Sequence, residues 1–294
     1  MFDLHGYLES RRAAVEMGLE KAMPAETTRP VVLHRAMRYS VMAGGKRLRP
    51  ILCMAACEAV GGKPASALMA GLAVEILHTY TLIHDDLPCM DDDELRRGRP
   101  TSHIMFGEAN ALLAGDALLT LAFEWLADIQ PPPPLAPNQL SLELARAAGS
   151  RGVIGGQVED LEAEGKAPDA ELLDFIHRHK TAALIRASVR MGGICGAASP
   201  EALDALTRYG ECAGLAFQIA DDILNVTSTP EQLGKPVGND EQLKKLTYVA
   251  VHGLQASRDK ADALIREAVA AIRDLRGDPQ PLIALAEYTV TRVS

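Results

Sequence analysis

Two stretches of this chain repeat their apolar residues at a helical period, and that repeat limits its architecture more than anything else. Leu68, Leu72, Ile76, Leu77, Leu82 and Ile83 follow one another at spacings near three and four over residues 68–86. Leu203, Leu206, Leu215, Ile219, Ile223 and Leu224 do the same over residues 203–225. Such spacing predicts amphipathic helices, and little of the chain alternates with a period of two, so no sheet is expected. Only 4% of the 294 residues are aromatic while 48% are hydrophobic, so the core is expected to be Ala, Leu, Ile, Val and Met. Ala and Leu are strong helix formers. The predicted fold class is all-α.

Helices are interrupted at Gly61-Gly62-Lys63-Pro64, Gly98-Arg99-Pro100 and Ser199-Pro200. Pro131 to Pro134, followed by Pro137, reads as a domain linker or as a stiff loop between helices; the loop is preferred because the motifs on its two sides need each other. Gly234 to Asp240 is a second non-helical stretch. The length fits one large core, and residues 1–294 are expected to form a single domain.

Two acidic clusters carry the chemistry. Asp85 and Asp86 end the first apolar run and are followed at once by Asp91, Asp92 and Asp93. Asp221 and Asp222 lie in the second run, with Gln218 and Asn225 at spacings that put all four on one helical face. Adjacent carboxylates raise each other's pKa unless a cation compensates. Oxygen donors without Cys or His suit Mg2+, which takes one or two carboxylates and completes its shell with water and substrate phosphates. The rival reading is a solvated acidic loop, and it does not account for the repetition.

Cations complement these clusters. Lys46, Arg47 and Arg49 lie in GGKRLRP, Arg96 and Arg97 follow the first acidic cluster, and Lys180, Lys235 and Lys245 come later. Together they suit two phosphate subsites, one bridged by metal and one held directly. No nucleotide P-loop sequence occurs. A net charge of -9 without a basic block argues against nucleic acid. The five cysteines, Cys53, Cys57, Cys89, Cys195 and Cys212, form no Cys-x-x-Cys pair; Cys53 and Cys57, one helical turn apart, read as buried thiols, and a reducing, cytoplasmic setting is expected. Met1 to Glu9 does not read as a signal peptide, and no run approaches the length of a spanning helix.

In this order, the elements GGKRLRP (Gly44 to Pro50), LIHDDLPCMDDDELRRGRPTSH (Leu82 to His103), GGQVED (Gly155 to Asp160), Lys180-Thr181, FQIADDILN (Phe217 to Asn225) and LGKPVGND with Lys245 resemble the trans-isoprenyl diphosphate synthases over almost the whole chain. The resemblance implies a helical bundle around a central cavity and a homodimer. It implies that Asp85, Asp86, Asp91, Asp221 and Asp222 hold three Mg2+ ions against an allylic diphosphate, dimethylallyl or geranyl. Arg96, Lys180, Lys235 and Lys245 resemble residues that grip that diphosphate. Lys46, Arg49, His78 and Arg97 resemble the isopentenyl diphosphate site, and Thr181 and Gln218 resemble residues beside the developing allylic cation. The implied reaction ionises the allylic carbon–oxygen bond, joins the cation to the double bond of isopentenyl diphosphate, and loses a proton to the released diphosphate. Two positions depart from the family pattern: Asn225 stands where an aspartate is usual, and Lys244 where a glycine commonly precedes the lysine.

Pro88 and Cys89, inserted in the first motif, resemble bacterial farnesyl and plant-type geranylgeranyl synthases. Tyr80 lies five residues before Asp85, about 7.5 Å deeper along a helix, and Thr81 about one turn deeper. Tyr80 is expected to floor the pocket at fifteen carbons, giving farnesyl diphosphate; Met105 and Phe106 are the alternative floor, and geranylgeranyl diphosphate is the alternative product. A terpene cyclase would need no isopentenyl site. A non-catalytic subunit of a heteromeric synthase tends to lose its aspartate motifs, and this chain keeps both.

Overall fold

The structure, a computed structural model, describes residues 2–133, 135–136, 138–167, 169–227 and 245–291. Helices dominate it. In chain order they are α1 (Leu4–Ala22), α2 (Val31–Val41), α3 (Leu48–Ala59), α4 (Pro64–Asp85), α5 (Ser102–Phe106), α6 (Glu108–Ala127), α7 (Gln139–Ala148), α8 (Val153–Ala163), α9 (Ala170–Ile176), α10 (Ala183–Cys195), α11 (Pro200–Thr227), α12 (Tyr248–His252), α13 (Leu254–Ile272) and α14 (Gln280–Thr291). A turn of π-helix, His177–Ala182, joins α9 to α10. The two periodic stretches became α4 and α11, with Pro64 in the first turn of one and Pro200 opening the other. Pro at a helix start forfeits no hydrogen bond, because the N–H it lacks has no intrahelical partner there.

Packing follows a chain of neighbours: α13 on α11, α11 on α10, α10 on α3, α3 on α4, and α4 on α6. The buried core is continuous and consists mainly of Ala, Leu, Ile, Val and Met, with Tyr80, Trp125 and Tyr209 among its few aromatics. Small side chains let the helix axes approach. A Cβ on Gly192 of α10 would lie 1.9 Å from the Cys53 carbonyl oxygen of α3, and one on Gly71 of α4 would lie 2.9 Å from Pro50 Cα.

Two expectations change. A two-residue antiparallel hairpin pairs β1 (Leu95–Arg96) with β2 (Arg99–Pro100), where no strand was foreseen. Its central residues, Arg97 and Gly98, have φ of 53° and 72°, the left-handed pair that closes tight hairpins. Helices α4 and α6 are long and apolar enough to cross a membrane, although no unbroken apolar run of that length was evident; α4 is packed into the core. Cys89 is exposed while the other four thiols are buried. The proline run lies between α6 and α7 as loop, with Pro134 and Pro137 outside the described residues; so is Gly234 to Asp240.

Replacing Gly192 by Ala forces its methyl group against backbone that cannot rotate away. The expected result is a destabilisation of about 1–3 kcal/mol in urea unfolding. An unchanged midpoint would show that the α3–α10 contact is slack.

Candidate active site

Helix α4 descends through the core and ends at Asp85, so its last turns deliver polar groups to the edge of a cavity of about 490 Å³. Arg49 of α3, His78, Thr81 and Asp85 of α4, and Lys180 and Thr181 of the π turn line one part of it. The rest of the wall is largely apolar, with Leu87, Val153, Val158 and Leu184 among its residues. A smaller recess of about 140 Å³ adjoins it through Lys180 and Thr181, and is lined also by Gln218 and Asp222 of α11 and by Lys245. Most of the predicted site residues are therefore brought together from five separate parts of the chain.

The electrostatics of the cavity are strained. Burial pushes Asp85 from its ordinary 3.8 up to about 6; Asp91 and Asp86 add to this, and Lys180 and Arg96 oppose it. Burial, helped by Arg49, Arg97, Arg96 and Arg47, drives His78 well below the usual imidazole range, so its ring is neutral at pH 7. Burial also lowers Arg49, against the pull of Glu75 and of Asp221 from across the site. The Thr181 hydroxyl donates to Gln218 Oε1 at 2.7 Å. Lys245 Nζ reaches Asp91 Oδ1 at 3.5 Å, joining the late part of the chain to the first acidic cluster.

Several predicted site residues have partners within the protein. Asp86 is only 3% exposed, and Arg96 Nε approaches both of its oxygens, at 2.7 and 2.8 Å. A buried carboxylate needs such a partner. Asp86 is thus paired with Arg96, a carboxylate and a cation of the predicted site lying side by side. Asp222, 4% exposed, accepts the Tyr248 backbone N–H at 2.6 Å and Gln218 Nε2 at 3.2 Å, with His177 Nε2 3.4 Å away. It ties α12 to α11 while lining the recess beside Lys180 and Lys245. Lys46 lies outside the cavity, in a recess of about 210 Å³ with Leu48 and Phe217. Arg97 donates to the Gly44 carbonyl and lies against Gly45, whose φ of 128° and lack of a side chain make room for it. Arg47 is buried, donating to Glu16 and Glu75 at 2.8 and 2.9 Å, and is structural. Tyr80 and Thr81 both line the cavity, Tyr80 packing edge-on against His84 at 5.3 Å. Lys235 lies outside the described residues.

Asp160 went unrecognised. It is buried and accepts from Lys180 Nζ at 2.5 Å, so it orients that cation. The signal was the position of Gln157 and Asp160 three apart on α8, which faces both onto the site. His177 had no sequence signal beyond its nearness to Lys180.

Asp85, Asp91 and Asp221 offer oxygen donors suited to Mg2+. Among the described residues no three of His, Cys, Asp and Glu converge on one point. An ion here therefore completes its shell with substrate oxygens and water, as Mg2+ does. A carboxylate whose pKa burial raises, beside a second carboxylate, is a site short of positive charge, and the donor set fits.

The Asp85 charge has a measurable cost without metal. Below 3.8 the group is protonated folded and unfolded, and contributes nothing. Stability falls as pH rises from 3.8 to about 6, and above that the full cost, on the order of 3 kcal/mol, is present. Asp85→Asn is therefore expected to raise the thermal midpoint at pH 8 in chelator, but not at pH 3.5. A lower midpoint at pH 8 would refute the burial argument.

The polyprenyl synthetase family profile matches residues 30–277. The chain is 47% identical to geranylgeranyl pyrophosphate synthase 12, chloroplastic, of Arabidopsis thaliana, over 99% of this chain and 82% of that protein. Its fold matches an apo FPP/GFPP synthase from Zymomonas mobilis with a TM-score of 0.85 and 36% identity, covering 98% of this chain and 99% of the other. It also matches a geranyltransferase from Helicobacter pylori complexed with magnesium and isoprenyl diphosphate, with a TM-score of 0.83 and 32% identity over 100% and 98% of the two chains. The chain belongs to the polyprenyl synthetase family, whose members are prenyltransferases that elongate isoprenyl diphosphates.

Proposed function

We propose that this chain condenses isopentenyl diphosphate head to tail with an allylic diphosphate, and that the observation carrying this reading is a single cavity with Asp85, Lys180 and Arg49 among its polar groups and an otherwise largely apolar wall. That polarity matches a substrate with a diphosphate head and a hydrocarbon tail. Asp85, Asp91 and Asp221 are the residues we assign to Mg2+, as the magnesium-bound relative suggests. Bound Mg2+ neutralises the charge that builds on a departing diphosphate. Lys180, held by Asp160, presents a fixed cation beside Asp85. Lys245, beside Asp91, closes on the same head group. Arg49, neutral His78 and Arg97 form the second, metal-free diphosphate position. Thr181 and Gln218 hold each other so that oxygen dipoles face a developing cation. Leu87, Val153 and Leu184 keep water from that cation. A homodimer in the cytoplasm is part of the same proposal.

Product length has two readings. Tyr80 in the cavity wall favours fifteen carbons. The name of the Arabidopsis relative favours twenty. Purified protein with Mg2+, isopentenyl diphosphate and dimethylallyl, geranyl or farnesyl diphosphate is expected to give mainly a fifteen-carbon product by mass spectrometry, and Tyr80→Ala is expected to lengthen it. A twenty-carbon product from the unaltered chain selects the second reading. Absence of condensation from every starter, in folded protein, would sink both.

A further inference from the structure

A second groove, of about 860 Å³, lies between α1, α2 and α5 and shares no lining residue with the cavity. Its floor includes Tyr39, Met42 and Phe106, with the Tyr39 and Phe106 rings edge-on at 5.4 Å. Val31, Val32 and Met105 line it while staying 43%, 44% and 50% exposed. Apolar side chains gathered in water at one place mark a binding surface more often than isolated ones do.

Three guanidiniums border this surface. Arg38 is buried and committed, donating to Glu20 and to the Met23 carbonyl at 3.2 Å. Arg35 and Arg99 make no ion pair among the described residues. Arg99 lies over the Tyr39 ring at 4.5 Å, which fixes its plane, and the Tyr39 hydroxyl is anchored on the Pro100 carbonyl at 2.8 Å. Glu26 alone opposes them, since Glu20 is paired with Arg38. Two unpaired guanidiniums on a chain of net charge -9 are a local inversion of sign. A guanidinium fork suits phosphate oxygens.

We propose that this groove is a second site for an isoprenoid diphosphate, its head on Arg35 and Arg99 and its tail on Val31, Val32, Met105 and Phe106. The choice of this amphiphile over other anions rests on the function proposed above. Arg99 pairs with Arg96 across the hairpin, and Arg96 holds Asp86, so the groove touches the same hairpin that braces the first acidic cluster.

The test is titration calorimetry of the whole protein with farnesyl diphosphate in Mg2+. Two binding events per chain are expected for the unaltered protein. In the double variant R35A/R99A the second event is expected to weaken by at least about tenfold, with condensation turnover unchanged. Val32→Glu, which places a carboxylate on the tail surface, is expected to do the same. A single event in the unaltered protein, or two unaltered events in both variants, overturns the proposal. Inorganic diphosphate is expected to bind the groove more weakly, and equal affinity would overturn the tail assignment. Arg35- and Arg99-dependent sedimentation with phosphatidylglycerol vesicles, without a second event for farnesyl diphosphate, would overturn it in favour of a lipid surface. Loss of the catalytic reading shows separately, as failure to condense with isopentenyl diphosphate, and leaves the dependence of a binding event on Arg35, Arg99 and Val32 to judge the groove.

Discussion

Carboxylates at the ends of buried helices are the constraint from which the site is built. Asp85 and Asp86 end α4, and Asp221 and Asp222 interrupt the apolar face of α11. Each charge in such a place needs a partner, because desolvation costs more than any nearby attraction repays unless hydrogen bonds complete it. The second member of each pair finds its partner within the protein: Asp86 in Arg96, Asp222 in the Tyr248 backbone and Gln218. Asp85, the first member of the α4 pair, does not settle in this way. Asp85 is left with its pKa near 6 among like charges. Neighbouring residues of one type thus divide into a brace and a reactive group, and the brace is what keeps the reactive group in place.

The fold was largely legible in the sequence because helical period is a local signal. Leu68 to Ile83 and Leu203 to Leu224 announced α4 and α11 nearly to their ends. Asp85, Lys180, Thr181, Arg49 and His78 were also legible, and they do share one cavity. What was not legible depends on pairings distant in sequence. Nothing local shows that Asp160 takes Lys180, twenty residues away. Nothing in GGKRLRP separates Lys46, in its own recess, from Arg49 in the cavity, or marks Arg47 as a buried strut between α1 and α4. The hairpin at Arg97-Gly98 was hidden because two-residue strands carry no alternation to read.

Scarcity of aromatic residues shapes both the core and the cavity. Ala-rich helices approach closely, as Gly192 and Gly71 show, and leave few bulky groups to define a void. Tyr80 is therefore conspicuous: it is a large, slightly polar side chain in a cavity wall otherwise rich in aliphatic groups, held edge-on by His84, whose ring contacts the Leu112 carbonyl at 2.9 Å. A change there alters the shape of the void more than most aliphatic exchanges along the same wall.

The π turn at His177–Ala182 has a consequence for chain length. An i→i+5 turn holds one residue more than the α turn it replaces. Every residue of α10 is counted from that surplus, including Gly192, which meets the Cys53 carbonyl with no space for a side chain. Removing one residue from the turn would rotate α10 by about 100° relative to α9. The segment can exchange residues at many positions, but an insertion or deletion there would put the core and the Lys180-Thr181 pair out of phase together. Residue count in this short turn is shared by stability and chemistry, so neither can drift without the other.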